Sequence, residues 1–128
     1  MIGFDIDDTL AKMSFENVFS REQILKRMRE APVLYRPRES FVAISARDDW
    51  MREATLYWML KNQPEFVRLH LVSGSEDEIV AGKARIIMDE NLDSFTDNNR
   101  EILGKLRELL PSSVALFWMR QDGIRVRY

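Results

Sequence analysis

The chain has 128 residues, 45% of them apolar, with 19 basic against 21 acidic side chains and a formal net charge of −2. That is enough apolar material for one domain, residues 1–128, and it speaks against a wholly basic nucleic-acid binder. The absence of cysteine excludes disulfides, iron–sulfur clusters, thiolate zinc sites and cysteine nucleophiles, and the single histidine, His70, excludes a multi-histidine metal site.

Ile2–Ile6 reads as a short strand. Phe15, Val18 and Phe19 can line a turn of helix, and residues 21–30 are rich in helix formers before Pro32 and Pro37 break regular structure. Phe41–Ile44 is an apolar run too short for a helix and rich in strand formers. Trp50, Ala54, Tyr57, Trp58 and Met59 then recur near helical spacing, up to Asn62 and Pro64. Val67–Val72 predicts a third strand and Glu76–Asp89 a helix that Gly82 weakens, so that its start could lie near Lys83. Leu92–Thr96 predicts a fourth strand, residues 98–110 a helix stopped by Pro111, and Val114–Trp118 a fifth strand. Ile124–Tyr128 can add a last strand, antiparallel because Asp122-Gly123 suits a tight turn. The alternation of strand and helix predicts an α/β fold with a mainly parallel sheet of about five strands.

In such a sheet a ligand sits beyond the carboxyl ends of the strands. The residues expected there are Asp5, Asp7, Asp8 and Thr9 after the first strand and Ser45 and Arg47 after the second. Lys83 on the later helix and Asp97 after the fourth strand complete the set. Asp5 and Asp7 repel if both approach one point, and a divalent cation with oxygen ligands, magnesium, is the simplest remedy, with Asp97 as a third oxygen source. Lys83 and Ser45 can hold an anion opposite the metal, and phosphate suits that mixture. Read singly, each residue has a plainer role: Asp5 and Asp7 as turn residues, Ser45 and Asp97 as helix caps, Lys83 as a solvated charge.

Taken in order, Phe4-Asp5-Ile6-Asp7-Asp8-Thr9-Leu10 resembles the first motif of the haloacid dehalogenase-like (HAD) superfamily, and the run from Phe41 to Arg47 resembles the second. Lys83 before Ile86-Ile87 resembles the third-motif lysine, and Phe95-Thr96-Asp97-Asn98-Asn99 resembles the fourth. The resemblance implies a Rossmann-like HAD fold. It implies Asp5 as the nucleophile that forms an aspartyl-phosphate and Asp7 as general acid and base. Magnesium would be held by the Asp5 carboxylate, the Asp7 carbonyl and Asp97. Ser45 and Lys83 would bind phosphoryl oxygens, helped by the Ile6 and Asp7 N–H groups, while Thr9 braces the loop. The second aspartate favours phosphoryl transfer over dehalogenation. Asn98 stands where a second acidic residue often follows, which implies weaker metal binding.

Residues 10–44 and 46–82 leave no room for a full cap domain. The site is expected to be open, which admits a nucleotide, a nucleic-acid end or a phosphoprotein, unless an oligomer or partner domain lends a lid. Between Ser20 and Ser40 six basic residues (Arg21, Lys26, Arg27, Arg29, Arg36, Arg38) outnumber three glutamates. That stretch is expected to border the pocket, with Tyr35 available to a base. The Ser45-Ala46-Arg47 segment and compact size are similar to the phosphatase domain of polynucleotide kinase-phosphatases. Arg47 could contact a further phosphate or pair with Asp49. The expected activity is a magnesium-dependent phosphomonoesterase acting on a nucleotide or nucleic-acid terminal phosphate. A phosphotransferase or a silent phosphate-sensing interaction domain are the alternatives. The expected setting is the reducing cytoplasm, since no secretory signal opens the sequence and no run approaches the ~18 apolar residues of a membrane span.

Overall fold

The structure, a computed structural model, describes residues 1–128. One sheet of six strands forms the centre, built from β1 (Ile2–Phe4), β2 (Phe41–Ser45), β3 (Phe66–Leu71), β4 (Ser94–Asp97), β5 (Ala115–Met119) and β6 (Arg125–Arg127). Their spatial order is β3-β2-β1-β4-β5-β6. The first five are parallel, and β6 pairs antiparallel with β5 through a turn at Gly123 (φ 83°). Helices α1 (Arg21–Glu30), α2 (Arg52–Asn62), α3 (Glu76–Asp89) and α4 (Arg100–Leu109) complete the fold, with a 3-10 turn at Asp49–Met51 before α2. This is an α/β architecture compatible with a Rossmann-like fold. No helix is long and apolar enough to cross a membrane.

Two cores lie on opposite faces of the sheet, as expected where parallel strands are covered on both sides. One packs Val42 and Ile44 of β2, Phe95 of β4 and Leu116 of β5 against Val80, Ala84 and Ile87 of α3 and Ile102, Leu103 and Leu106 of α4. The other packs Phe4, Phe41 and Ala43 against Trp58 and Met59 of α2 and Ala31. Trp58 is buried, and its Nε1 donates to the Ala31 carbonyl at 2.8 Å, which ties α2 to the end of α1. Trp50, in the 3-10 turn, is partly exposed under Arg21, and Tyr57 of α2 is exposed beside Lys61.

Several expected boundaries shift, each for a local reason. Residues 12–19 form no helix: Asn17 takes φ 57°, Phe15 and Phe19 are exposed, and Arg27 holds the loop through the Ser14 and Glu16 carbonyls. β1 ends at Phe4 instead of Ile6 because, after the Asp5 N–H makes the last ladder bond, the chain curls around the Ile6 carbonyl. α3 by contrast keeps its expected span, Glu76–Asp89, and does not take the alternative start near Lys83, because Ser75 and Glu78 form a reciprocal capping box. Gly82 is tolerated within α3 because it passes Val72 closely; a Cβ there would lie 3.0 Å from Val72 Cγ1. β4 starts at Ser94 instead of Leu92 because α3 closes through Asn91. This residue takes φ 52°, its N–H bonds the Met88 carbonyl, and the Leu92 N–H bonds the Ile87 carbonyl.

That closure gives a stability prediction. Asn91→Ala places a Cβ without a compensating side chain in the left-handed region and is expected to cost about 1 kcal/mol, whereas Asn91→Gly is expected to be neutral or stabilising by a few tenths. Urea denaturation of both variants checks the order, and equal stability would refute the strain.

Candidate active site

The strand order reverses between β1 and β4, and the carboxyl ends of those two strands carry Asp5 and Asp97. The Asp5 N–H still pairs with the Thr96 carbonyl at 2.9 Å, so the ladder fixes the backbone of Asp5 beside β4. The chain then curls. The N–H groups of Thr9, Leu10 and Ala11 all donate to the Ile6 carbonyl. Asp8 takes φ 55°, a left-handed conformation that Asp tolerates better than most residues, and its Oδ1 accepts from the Met13 N–H. The curl folds Thr9 back against Asp5, and Thr9 Oγ1 donates to Asp5 Oδ2 at 3.2 Å.

Lys83 reaches the same point from α3. Its Nζ donates to Asp97 Oδ2 at 2.8 Å and to Asp5 Oδ1 at 3.3 Å. All three side chains are at least nine-tenths buried. Asp97 Oδ1 also accepts from the Asn99 N–H, and Asn99 rather than Asp97 caps α4. Burial of Asp5, reinforced by Asp97, pushes its carboxyl up to about 7, against the opposing pull of Lys83 and the Ile6 N–H. Burial alone lowers Lys83, but the two carboxylates outweigh it and raise the ammonium above the ordinary lysine range.

The side chain of Asp7 goes elsewhere. Arg47 grips it from Nε and Nη2, the shorter contact being 2.8 Å, while Nη1 donates to Thr55 Oγ1 at 2.9 Å. Arg47 therefore does not pair with Asp49: it is buried against Asp7, and Asp49 pairs with Arg52. Ser45 is fully buried. Its Oγ accepts from the Arg47 N–H, and Ala46 rather than Ser45 lines the cleft. Thr55, which anchors Arg47 from within α2, carries no signal in the sequence because it sits on an ordinary helical face.

Asn98 closes the arrangement. With its NH₂ turned inward, that nitrogen lies 3.2 Å from Asp5 Oδ2, Asp97 Oδ1 and the Asp7 carbonyl oxygen alike. Its own carbonyl accepts from Trp118 Nε1 at 3.0 Å, which fixes its backbone. Three oxygens therefore converge on one polar atom, and they are the oxygens expected to hold magnesium. No three carboxylate or imidazole side chains are placed so that they alone could hold a metal ion. The oxygens that could hold a hard cation here are thus those of two carboxylates and one peptide carbonyl, and the inward NH₂ of Asn98 adds no ligand.

The cleft over these groups has a volume of about 350 Å³, and Asp5, Asp7, Lys83, Asp97 and Asn98 line it together with Glu76 and Ile79 of α3. A neighbouring hollow of about 250 Å³ shares Asp8 and Asn98 with it and is walled by Leu34, Trp118 and Met119, with Lys12 and Gln121 at hand. The basic residues of the 20–40 stretch do not border the cleft. Arg36 and Arg38 line a separate hollow, and the Tyr35 ring stacks on Phe4 at 5.7 Å instead of standing free. His70 bonds Glu90 at 2.8 Å beside Arg68, and Asp93 pairs with the Met1 amine, so none of these joins the cleft. Comparison with protein-family models, curated proteins and solved structures finds no match for the chain.

Two stability measurements test this electrostatic picture. Between the ordinary carboxylate range near pH 4 and about pH 7 the folded chain holds a proton on Asp5 that the unfolded chain has lost, so this group's contribution to stability falls as pH rises. Asp5→Asn is therefore expected to raise Tm at pH 8, by about 5 °C or more, and to change it little at pH 4. Lys83→Met leaves two buried carboxylates with no ammonium and is expected to cost about 3–5 kcal/mol at pH 8, much of it recovered when Asp5→Asn is added. Additive effects in that double variant would show that Lys83 and Asp5 do not interact.

Proposed function

We propose that the chain is a magnesium-dependent phosphomonoesterase of the HAD-like type that works through an aspartyl-phosphate on Asp5. The observation that carries this reading is the buried triad at the switch point of the sheet. One strand-end carboxylate is held by an ammonium and a hydroxyl next to a second buried carboxylate, under an open cleft. A purely structural ion pair has no use for that second carboxylate, whose proximity pushes the proton affinity of Asp5 up. The order of motifs along the sequence supports the same reading.

In this mechanism an Asp5 oxygen attacks phosphorus and the bond to the leaving oxygen breaks. Asp7 gives its proton to that oxygen, then takes one from a water whose oxygen attacks the phosphorus of the acyl phosphate. Inorganic phosphate departs and Asp5 is restored. Arg47 keeps Asp7 at the cleft and away from Lys83. Lys83 lies where it can offset negative charge on the phosphoryl oxygens. Magnesium, held by the Asp5 carboxylate, the Asp7 carbonyl and Asp97, would supply further charge neutralisation there. Ser45, buried beneath Ala46, acts in this reading by fixing the turn that carries Arg47, and contact with phosphate is left to the Ile6 and Asp7 N–H groups and Lys83.

For the substrate, the open cleft and the adjoining hollow walled by Leu34, Trp118 and Met119 favour a leaving group with a flat apolar part. A nucleotide or a nucleic-acid end carrying a terminal phosphate has that form.

The test is phosphate release with magnesium from an aryl phosphate, nucleoside 3′- and 5′-monophosphates and oligonucleotides phosphorylated at either end. Asp5→Asn is expected to lower turnover by about 10³-fold or more without loss of fold, and excess chelator to stop the reaction until magnesium is restored. Full hydrolysis by Asp5→Asn would sink the nucleophile assignment. Undiminished activity in chelator would remove the metal from the mechanism.

A further inference from the structure

A second hollow, of about 440 Å³, lies apart from the carboxylate cleft and shares no residue with it. Its apolar wall includes Phe4, and its rim carries Arg36, Arg38 and Arg125 against one carboxylate, Glu39. None of these three guanidiniums forms an ion pair, although ten such pairs occur elsewhere in the chain.

Arg125 is the informative member. It is held in place by neutral groups alone: Nε donates to Thr96 Oγ1 at 2.8 Å, and its guanidinium lies 3.7 Å from the Phe117 ring centroid and 5.3 Å from that of Phe4. Tyr35 stands against it and stacks on Phe4. Burial pulls its proton affinity below the usual arginine range, and Tyr35 and Glu39 only partly oppose this. A half-buried cation with no anion in contact bears a desolvation cost that a bound anion would offset. Its remaining N–H groups form the planar fork that suits phosphate oxygens. Arg36 is likewise anchored, by Nε to the Asn62 carbonyl at 2.9 Å.

We propose that this hollow is a binding site for the phosphate of a nucleotide, with Arg125, Arg36 and Arg38 meeting the phosphate oxygens and the partly exposed Tyr35, backed by Phe4, lying against the flat base. The charge of three arginines against one glutamate matches a dianionic group better than a single carboxylate. The volume falls in the range of small-ligand pockets, roughly 300–1,000 Å³. The site does not depend on chemistry at Asp5. It is nonetheless built on the residues just before the two cleft carboxylates, Phe4 before Asp5 and Thr96 before Asp97. The nucleotide can be free, offering a dianionic monoester, or part of a strand, offering a monoanionic diester beside the same base.

The test is amide and arginine Nε–H chemical-shift mapping of the ¹⁵N-labelled full chain in chelator, titrated separately with three probes. These are inorganic phosphate, adenosine 5′-monophosphate and a trinucleotide lacking terminal phosphates. Adenosine monophosphate is expected to shift the amides of residues 35–39 and the Arg125 Nε–H, and inorganic phosphate to shift them more weakly. Arg125→Gln is expected to weaken binding about tenfold or more, and Arg38→Gln, at an exposed position that leaves the fold intact, to weaken it measurably. Tighter binding of the trinucleotide than of the mononucleotide identifies a strand as the ligand, and the reverse identifies a free nucleotide. Shifts confined to residues 5–9, 45–47, 83 and 97–99, no shift at 35–39 up to about 10 mM probe, or unchanged affinity in Arg38→Gln and a folded Arg125→Gln would overturn the proposal.

Discussion

One ammonium holds the molecule's charged centre together. Lys83 is the cation in contact with both Asp5 and Asp97, and all three are withdrawn from water. Two buried carboxylates on adjacent strands would otherwise repel each other across the middle of the sheet, where neither strand can move without breaking the ladder between β1 and β4. The same contact spans the layers, because it ties α3 to the ends of two strands it crosses. Anything that alters charge at this point, such as a proton, a metal ion or a phosphoryl group, therefore acts on packing and chemistry together.

The second cation of the cleft has a different task. Arg47 turns Asp7 away from Lys83 and is itself anchored to Thr55 in α2. Two carboxylates two residues apart thus receive different environments. One is buried beside another carboxylate with a raised proton affinity, and the other is at the rim in an ion pair with a guanidinium. The division separates the two carboxylates in environment, one in the buried centre and one at the rim. The curl after Phe4 makes it possible, since it breaks the strand alternation and lets Asp5 and Asp7 address the same cleft from different directions.

Much of this was legible in the sequence because it depends on short-range signals. Apolar runs and helix formers located every strand and helix to within a few residues, and the residues just past the first, second and fourth strands pointed to one edge of the sheet. What was not legible depends on contacts between distant segments. The pairing of Arg47 with Asp7 needs the exact height of the second strand's turn relative to the first. The burial of Ser45 needs the packing of α2. The 20–40 stretch was expected at the cleft from its place in the chain, but the turn before β2 carries Arg36 and Arg38 to the other hollow. The start of α3 was left open between Glu76 and Lys83 because Gly82 looked like a weak point, when it is a close-packing position against Val72.

The two outermost strands bear on how the chain behaves at high concentration. An open sheet presents unpaired backbone groups on both flanks, and such flanks can recruit strands from other molecules. Here one flank is only three residues long and carries Arg125 and Arg127, and the other carries Arg68 and His70 fastened to Glu90. Short length and fixed charge are the features that discourage edge-to-edge association. Self-assembly by sheet extension is thereby disfavoured, and the β-sheet can stay six strands wide with β3 and β6 as its outermost strands.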